Sequence, residues 1–499
     1  MPFVCDYQLN VMLKKNQQLC SSSGNNASGF ANPATFQPAS SLKPLLYFSL
    51  YILLFLLIRL FLRGQTLEID EAEQFVMARE LAFGYPFQPP LYTWLQYAVF
   101  QLLGPHLFSL AVLKYALLLG CLCSYFKLCR YYCPNPALAW SALCAWTLIS
   151  VISLDLIKDN THSILALLLA SLTWLWFFTV RINGMVWYIV LGLLIGAGCL
   201  SKFNYLLFLA ALITTAFTLP DKRRQLLDRR TGITIVLLLA ILSPYVLWLW
   251  QHHALGLQSS YKLAPAEKSI GHGIYKYLLS LVLFLGPLFL FSSLFFSIPK
   301  KINLKLNAMT RPLFHHVALS LLLVSVVVLL CGFKDFQARW LIPMLFLSPL
   351  LFFSLLNQAQ SWEKQATRFI VFCLMGQLLI IAAVVGRAQS GHQSKREHAF
   401  AQLAQAIVTH CSTPDYFYAE NHLLLGTMSW QFPKARIELK KGNEKPLAYT
   451  GGKGVLLWGP EEPPFWINHF KADASMGEII SSMNPGKDEP FAHFICFKG

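Results

Sequence analysis

Three carboxylic acids, Asp70, Glu71 and Glu73, stand within one helical turn in the segment IDEAEQF, just past an apolar run that ends near Arg63. Read as a helix, Asp70 and Glu73 share a face and Glu71 is turned away by about 100°. A carboxylate so placed can take a proton from an attacking hydroxyl, the work of a general base. The same pattern also describes a solvated acidic start to a helix, favoured by the helix dipole. A second group lies in SLDLIKDNTHS, where Asp155, Lys158, Asp159 and His162 crowd together. Its carboxylates and imidazole can bind a metal or position a hydroxyl. Equally, Asp159 and Asn160 can cap the helix that follows. The third group is cationic: Lys202 in CLSKFNY, Lys262 and Lys268 in YKLAPAEK, and Lys334 and Arg339 in FKDFQARW. Such residues suit a negative partner, a phosphate above all. Anionic headgroups, or the local acids Glu267 and Asp335, are the other partners to weigh.

Between the first and second groups runs GYPFQPPLYTWLQYAVFQLLG. Pro89-Pro90 forces an extended turn. Beyond it, Leu91, Leu95, Ala98, Val99 and Leu102 recur at helical spacing beside Tyr92, Trp94 and Tyr97. An aromatic-rich amphipathic helix of this kind lies in a membrane interface, where it can be a simple anchor or the floor of a cavity.

The elements that must position these groups follow from composition. Of 499 residues, 56% are hydrophobic and only 13% charged, so the chain is an integral membrane protein. A bilayer-crossing helix needs roughly 20 apolar residues, and about eleven candidates are present. They lie near 44–63, 107–129, 136–154, 162–180, 186–200, 204–219, 232–250, 274–298, 314–332, 340–356 and 369–386. The fifth and sixth are short and separated only by Ser201-Lys202-Phe203. Lys and Arg collect around Lys127 and Arg130, Arg181, DKRRQLLDRR, PKKINLKLNAMTRP and EKQATR. Positive loops stay in the cytoplasm, so the N-terminus is expected inside, with the 64–106 loop and the tail after Arg387 outside. All three chemical groups then fall at the outer face. The spans are almost free of acids; Lys114 and Lys276 are the nearest exceptions, and either can snorkel.

The fold expected is an all-α polytopic membrane bundle with a small C-terminal extracytoplasmic α/β domain. Residues 1–43 read as a disordered cytoplasmic lead, rich in Ser and Asn, with no cleavable signal peptide. Residues 44–386 form the bundle. Residues 387–499 alternate helix and strand: REHAFAQLAQAIVTHC, DYFYAE, NHLLLGTMSWQF, ARIEL, GVLLWGP and FAHFICF. Cys411 and Cys496 are the only cysteines in this tail, and a disulfide between them is expected if that compartment is oxidising. The Cys129/Cys133 spacing is a weak metal signal. The net charge of +16 sits mostly in the inner loops, so it reads as topology and attraction to anionic membrane lipids rather than nucleic-acid binding. There is no Walker loop and no GxGxxG after a strand, which argues against direct use of ATP or a dinucleotide.

The ordered set IDEAEQF, FGYPFQPPLYTWLQ, SLDLIKDNTHSILALLL, GAGCLSKFNYLLF and FQARWLIPMLFLSPL resembles the lipid-dependent GT-C glycosyltransferases. These include the bacterial relatives of protein O-mannosyltransferases (glycosyltransferase family 39) and of aminoarabinose transferases acting on lipid A. The likeness extends over most of 64–350. It implies a polyprenyl-phosphate sugar as donor and a cell-envelope acceptor: lipopolysaccharide, another glycan or a protein. It implies an inner-membrane location and no resident cofactor, a divalent metal being possible but not favoured. By this resemblance the acidic pair Asp70 and Glu71 carries catalysis, with Asp70 as general base, and Asp159 is the acidic position before the fourth span. Local chemistry adds Lys202 and Arg339 for the leaving phosphate, with Lys334 and Lys158 beside them, and His162 to orient a sugar. One displacement with one base inverts the anomeric carbon, by the logic of inverting glycosidases. Aminoarabinose transferases carry a lysine just before the paired prolines; this chain has Gln88, which puts aminoarabinose itself in doubt. The rival expectations are a flippase for a lipid-linked saccharide, which calls for charges buried at mid-membrane, and a non-catalytic receptor.

Overall fold

The computed structural model describes residues 42–63, 66–181, 184–253, 263–265, 267–296, 307–389, 392–419, 421–439, 452–460, 462–464, 466–467, 475–483 and 489–498. Its contacts divide the chain into Met1–Pro44 and Leu45–Gly499. Of the first unit only Leu42–Pro44 is described, as the start of a helix, so the expected lead lies outside the described residues.

Seven helices among the described residues are long and apolar enough to cross a bilayer: Leu42–Leu62, Leu107–Tyr132, Thr161–Thr179, Thr231–Gln251, Ile270–Phe295, Thr310–Leu330 and Glu363–Gln389. Two further pairs are bent, Pro136–Leu148 with Val151–Lys158 by 78° and Tyr205–Phe217 with Pro220–Leu226 by 117°; counted as one span each, they bring the number to nine. The chain is thus a multi-pass, mainly helical membrane protein. Eleven apolar stretches were expected, and the difference has local causes. Met185–Cys199 has 15 residues. The 340–356 stretch breaks into Ala338–Leu341, Ile342–Leu345 and Ser348–Ser354, with Pro343 and Pro349 opening the later pieces. Proline lacks the N–H that would continue the ladder. From Leu341 to Ser354 this stretch is buried throughout, wrapped by the other helices instead of facing lipid.

Two short helices sit between the first two spans. The acid helix, Ile69–Met77, begins with a reciprocal capping box between Glu68 and Glu71. The aromatic helix, Leu91–Leu103, follows Pro89-Pro90 and buries Tyr92, Thr93, Gln96 and Phe100.

Among the described residues the C-terminal part contains the helices His392–Cys411 and His422–Gln431 and six strands. The strands are β1 (Tyr416–Ala419), β2 (Arg436–Leu439), β3 (Lys453–Trp458), β4 (Ser475–Met476), β5 (Ile480–Met483) and β6 (Pro490–Lys498). The sheet order is β2-β1-β3-β6-β4, with β5 also on β6. β1 runs parallel to β2 and β3, while β6 is antiparallel to β3, β4 and β5. Side chains alternate between faces: Phe417, Val455 and Leu457 join the core under the two helices, and Tyr418, Leu456 and Trp458 pack with Trp466 on the other side. Cys411 and Cys496 are disulfide-bonded, tying the end of the first helix to β6.

Candidate active site

The acid helix is fixed from below by a buried ion cluster. Arg59 lies in the π-helical turn Ile58–Leu62 that ends the first span. Its guanidinium donates to both oxygens of Glu71, Nε to Oε1 at 2.9 Å and Nη2 to Oε2 at 2.5 Å. Lys114, in mid-helix of the second span, is 3.5 Å from Glu71 Oε1 and donates to the Lys158 carbonyl at 3.1 Å. Arg63 donates to the same carbonyl at 3.1 Å and pairs with Glu68. All four of Arg59, Arg63, Lys114 and Glu71 are buried. Burial alone would push the Glu71 carboxyl up. The charges of Arg59 and Lys114, with the Arg59 hydrogen bonds, outweigh it and hold the group well below the usual carboxylate range. Lys114 therefore does not snorkel; its amine is enclosed with an acid partner.

Above this cluster, Asp70 meets the chain segment 159–163. The Asp70 backbone N–H donates to the Asp159 carboxylate at 3.3 Å and 3.4 Å, and the Thr161 N–H donates to Asp70 Oδ2 at 3.0 Å. Each aspartate thus accepts an N–H from a helix start: Asp159 from the acid helix, and Asp70 from Thr161–Thr179, the helix that follows Asp159. Asn160 between them is left-handed, φ 66°, a conformation Asn tolerates better than most residues. Its side chain accepts from Arg339 and donates to the Asp155 carbonyl, the latter at 3.2 Å. One turn on, Lys202 donates to Ser163 Oγ at 2.6 Å. The Asp159 carboxyl is pushed well above its ordinary value, by burial first and then by the Asp70 and Glu71 charges.

A cavity of about 320 Å³ opens here, lined by Val151, Asp155, Lys158, Asp159, Asn160, Gln337, Ala338 and Arg339. Asp159, Lys158 and Arg339, singled out from sequence, line it together. Asp70 and Lys202 contact the same segment, at Thr161 and Ser163, from beside it. Lys158 is half exposed at the rim, its Nζ 4.0 Å from Glu68. His162 is buried, with Nε2 3.1 Å from Gln74 and 3.8 Å from Glu73, and its ring against Tyr92 at 5.2 Å. Two residues fall elsewhere. Lys334 is partly buried and its N–H donates to the Leu263 carbonyl. Gln88 follows Phe87, which is at φ 73°, and its N–H donates to the Pro86 carbonyl. Neither is among the cavity-lining residues. Lys268 pairs with Asp335 at 2.8 Å, a local acid partner as envisaged; Lys262 lies outside the described residues. Sequence reasoning missed Arg59, Arg63, Asn160 and Gln337 as parts of the site. The first two had a signal: basic residues at the C-terminal end of an apolar helix, where charge is costly unless partnered.

An acceptor hydroxyl near Asp70 or Asp159 would have a carboxylate to accept its proton, while Arg339 and Lys158 offer positive charge to a phosphate in the cavity. Residues 87–248 match the family model of dolichyl-phosphate-mannose-protein mannosyltransferases. The match takes in Gln88, Lys158, Asp159, His162 and Lys202 and leaves Asp70 and Arg339 outside. The lipopolysaccharide core galacturonosyltransferase RgtA of Rhizobium johnstonii is 29% identical over 451 residues, 87% of this chain and 88% of its own. RgtB of the same organism is 28% identical over 392 residues, 74% of this chain and 77% of its own. Crystal structures of ArnT from Cupriavidus metallidurans, in the apo state and bound to undecaprenyl phosphate, have the same fold at a TM-score of 0.59. They cover 92% of this chain and 98% of theirs at 14% and 13% identity. Relatives and fold agree with the resemblance read from the ordered motifs.

Proposed function

We propose that the chain is a GT-C membrane glycosyltransferase, a reading its relatives and its fold support, and that it moves a uronic acid from a polyprenyl-phosphate donor to a hydroxyl of the lipopolysaccharide core. The observation that carries the reading is the Asp70–Asp159 pair beside a cavity lined by Arg339 and Lys158. The named galacturonosyltransferase relatives support the sugar and the acceptor. The undecaprenyl phosphate bound by ArnT, a protein of the same fold, supports the lipid carrier. In this reading residues 44–386 cross the inner membrane in about eleven helical passages, the short Met185–Cys199 helix and the broken 340–356 stretch being counted with the nine. The N-terminus is cytoplasmic, the site opens at the outer face, and residues 387–499 form a periplasmic α/β cap.

Asp70 takes the proton of the acceptor hydroxyl as its oxygen attacks the anomeric carbon. The bond from that carbon to the phosphate oxygen breaks, polyprenyl phosphate leaves with the electron pair, and the configuration inverts. Arg339 and Lys202 meet the charge that grows on the phosphate, and Lys158 the carboxylate of the sugar. Glu71 holds the acid helix through Arg59 and Lys114, and His162 orients the acceptor side. Positive charge comes from side chains, with no metal required.

Purified chain in liposomes, given undecaprenyl-phosphate galacturonic acid and lipopolysaccharide core, should add the mass of one uronic acid to the acceptor. Folded Asp70→Asn protein should not. Undiminished transfer by that variant sinks the mechanism, and donor crossing the bilayer without transfer would favour a flippase.

A further inference from the structure

The acid helix has nine residues, too few to hold its shape or direction without packing. Its bundle side is held by the Glu71 ion pairs and by Gln74 at His162. Its other side is covered by His422–Gln431 of the C-terminal part. There the two backbones nearly touch. A Cβ added at Gly426 would lie 2.8 Å from the Ala72 carbonyl oxygen and 3.0 Å from its Cα and Cβ. The first two are backbone atoms and the Cβ is fixed to them, so none can swing aside as a long side chain can, and only glycine fits this approach.

The surrounding contacts belong to the same seam. Trp430 meets Phe75 edge-on, ring centroids 5.9 Å apart. Arg79, whose guanidinium sits 5.2 Å from the Phe75 ring centroid, donates to Ser429 Oγ. Leu423 and Trp430 pack on the cluster of Leu67, Ala72, Phe75 and Phe100. Val76, from the acid helix, packs against the core of the C-terminal sheet. His422 reaches the Phe87 ring at 5.3 Å, next to the paired prolines.

We propose that Gly426 is a positioning residue: the C-terminal part clamps the acid helix through this glycine contact and so sets the line from the Asp70 carboxylate to the reacting hydroxyl. The inference rests on the reading of Asp70 as base and gives the C-terminal part a role in it. Asp70 lies two residues before Ala72, so a shift forced at Ala72 is carried along a rigid helical turn to the carboxylate. Opening a 2.8 Å contact to the ordinary 3.4 Å requires a movement of about 0.6 Å, and since a misplacement of about 1 Å costs on the order of a hundredfold in rate, this one costs on the order of tenfold.

The test uses the full-length protein in liposomes, with undecaprenyl-phosphate galacturonic acid as donor. Gly426→Ala should lower kcat on the order of tenfold, with the donor KM within about twofold of wild type, since the cavity cations are untouched. Gly426→Leu should lower it further. Ser429→Ala/Trp430→Ala, which loosens the seam without overfilling it, should act in the same direction and serves if the leucine variant fails to fold. Amide hydrogen exchange over 69–77 should rise in each variant while the bundle helices stay protected. A folded Gly426→Ala protein with wild-type kcat overturns the clamp, as does a loss confined to KM. If the wild-type chain transfers nothing from this donor, the proposed function falls and exchange decides alone: unchanged exchange over 69–77 in Gly426→Ala overturns the clamp.

Discussion

Asp70 and Asp159 are tied by two reciprocal contacts at helix starts: the Asp159 carboxylate accepts the Asp70 N–H at 3.3 Å, and Asp70 Oδ2 accepts the Thr161 N–H at 3.0 Å. Two carboxylates are thereby held side by side, each leaning on a helix N-terminus, whose partial positive charge favours an anion. The expected cap of Thr161–Thr179 by Asp159 and Asn160 is not what forms: Asn160 makes no side-chain cap, and the Thr161 N–H goes to Asp70, so a helix start fixes the carboxylate that would act.

That double role separates stability from activity in one substitution. Asparagine caps a helix about as well as aspartate, whereas alanine costs roughly 1 kcal/mol. Asp70→Asn should keep the thermal midpoint of the purified protein within a degree or two while transfer falls at least a hundredfold, the lower range for a lost general base. Asp70→Ala should lose both. A midpoint drop in Asp70→Asn as large as in Asp70→Ala would show the carboxylate charge itself to be structural.

Asp159 gives a pH signature. Its carboxyl is raised by burial and by the neighbouring acids, so the folded state favours the protonated form. That contribution is fully present below the ordinary value and is lost as pH rises through the raised folded value. Asp159→Asn cannot ionise and escapes the loss. Thermal unfolding across pH 4 to 9 should show wild type and variant converging at the acid end and the variant gaining toward the alkaline end. Parallel curves would remove the acid-pair repulsion from the account.

Glu71 titrates in the opposite sense. Burial opposes its charge, but Arg59 and Lys114 outweigh burial and depress the carboxyl. Its contribution is therefore present above the ordinary 4.5 and lost as pH falls from there toward the depressed folded value. Glu71→Gln strands two buried cations, at a cost of about 3–5 kcal/mol. The companion Glu71→Gln/Lys114→Met should recover part of that, and a thermal-shift series on the three proteins measures it. Full stability in Glu71→Gln would mean the cluster is not what holds the acid helix.

Much of this was legible because the signals are short-range or compositional. Apolar length marked the spans, and the order of acids, prolines and cations marked the segments that meet at the site. Alternating helix and strand after Arg387 matched the helices and strands described there. What escaped was the pairing of residues distant in sequence. Asp70 sits opposite Asp159 and Arg339 opposite Asn160, relations set by how helices pack and invisible to spacing. Lys114 was misjudged for a related reason: a lone lysine in an apolar helix suggests snorkelling unless its partner, Glu71, is known to lie in the adjoining loop. The 340–356 stretch read as one unbroken helix because hydropathy shows neither the breaks at Pro343 and Pro349 nor whether the apolar surroundings are lipid or protein.

Asn160 tests the cavity cation indirectly. Its left-handed backbone, φ 66°, costs other L-residues about 1–2 kcal/mol, and its side chain accepts from Arg339. Asn160→Gly keeps the turn and releases Arg339; Asn160→Ala strains the turn as well. Both should lower transfer, with only the alanine protein losing that much stability. Arg339→Ala should lower kcat about a hundredfold or more, as for other donors to developing negative charge, with Arg339→Lys in between. Equal kcat in Arg339→Ala and wild type would take the phosphate contact away from this residue.

The disulfide offers a handle on the C-terminal part that leaves the cavity untouched. Cys411 and Cys496 are 85 residues apart in sequence, so the bond closes a long loop and should stabilise by about 2–4 kcal/mol through the unfolded chain. It joins the helix His392–Cys411 to β6, and the sheet and helices it braces support His422–Gln431. Cys411→Ser should therefore lower the temperature at which 392–498 loses protection in hydrogen exchange, with the spans unaffected. Below that temperature transfer should be near normal, because Gly426 still rests on Ala72. Above it, transfer should fall together with protection over 69–77. Activity persisting after the C-terminal part has melted would break the link between that part and the acid helix.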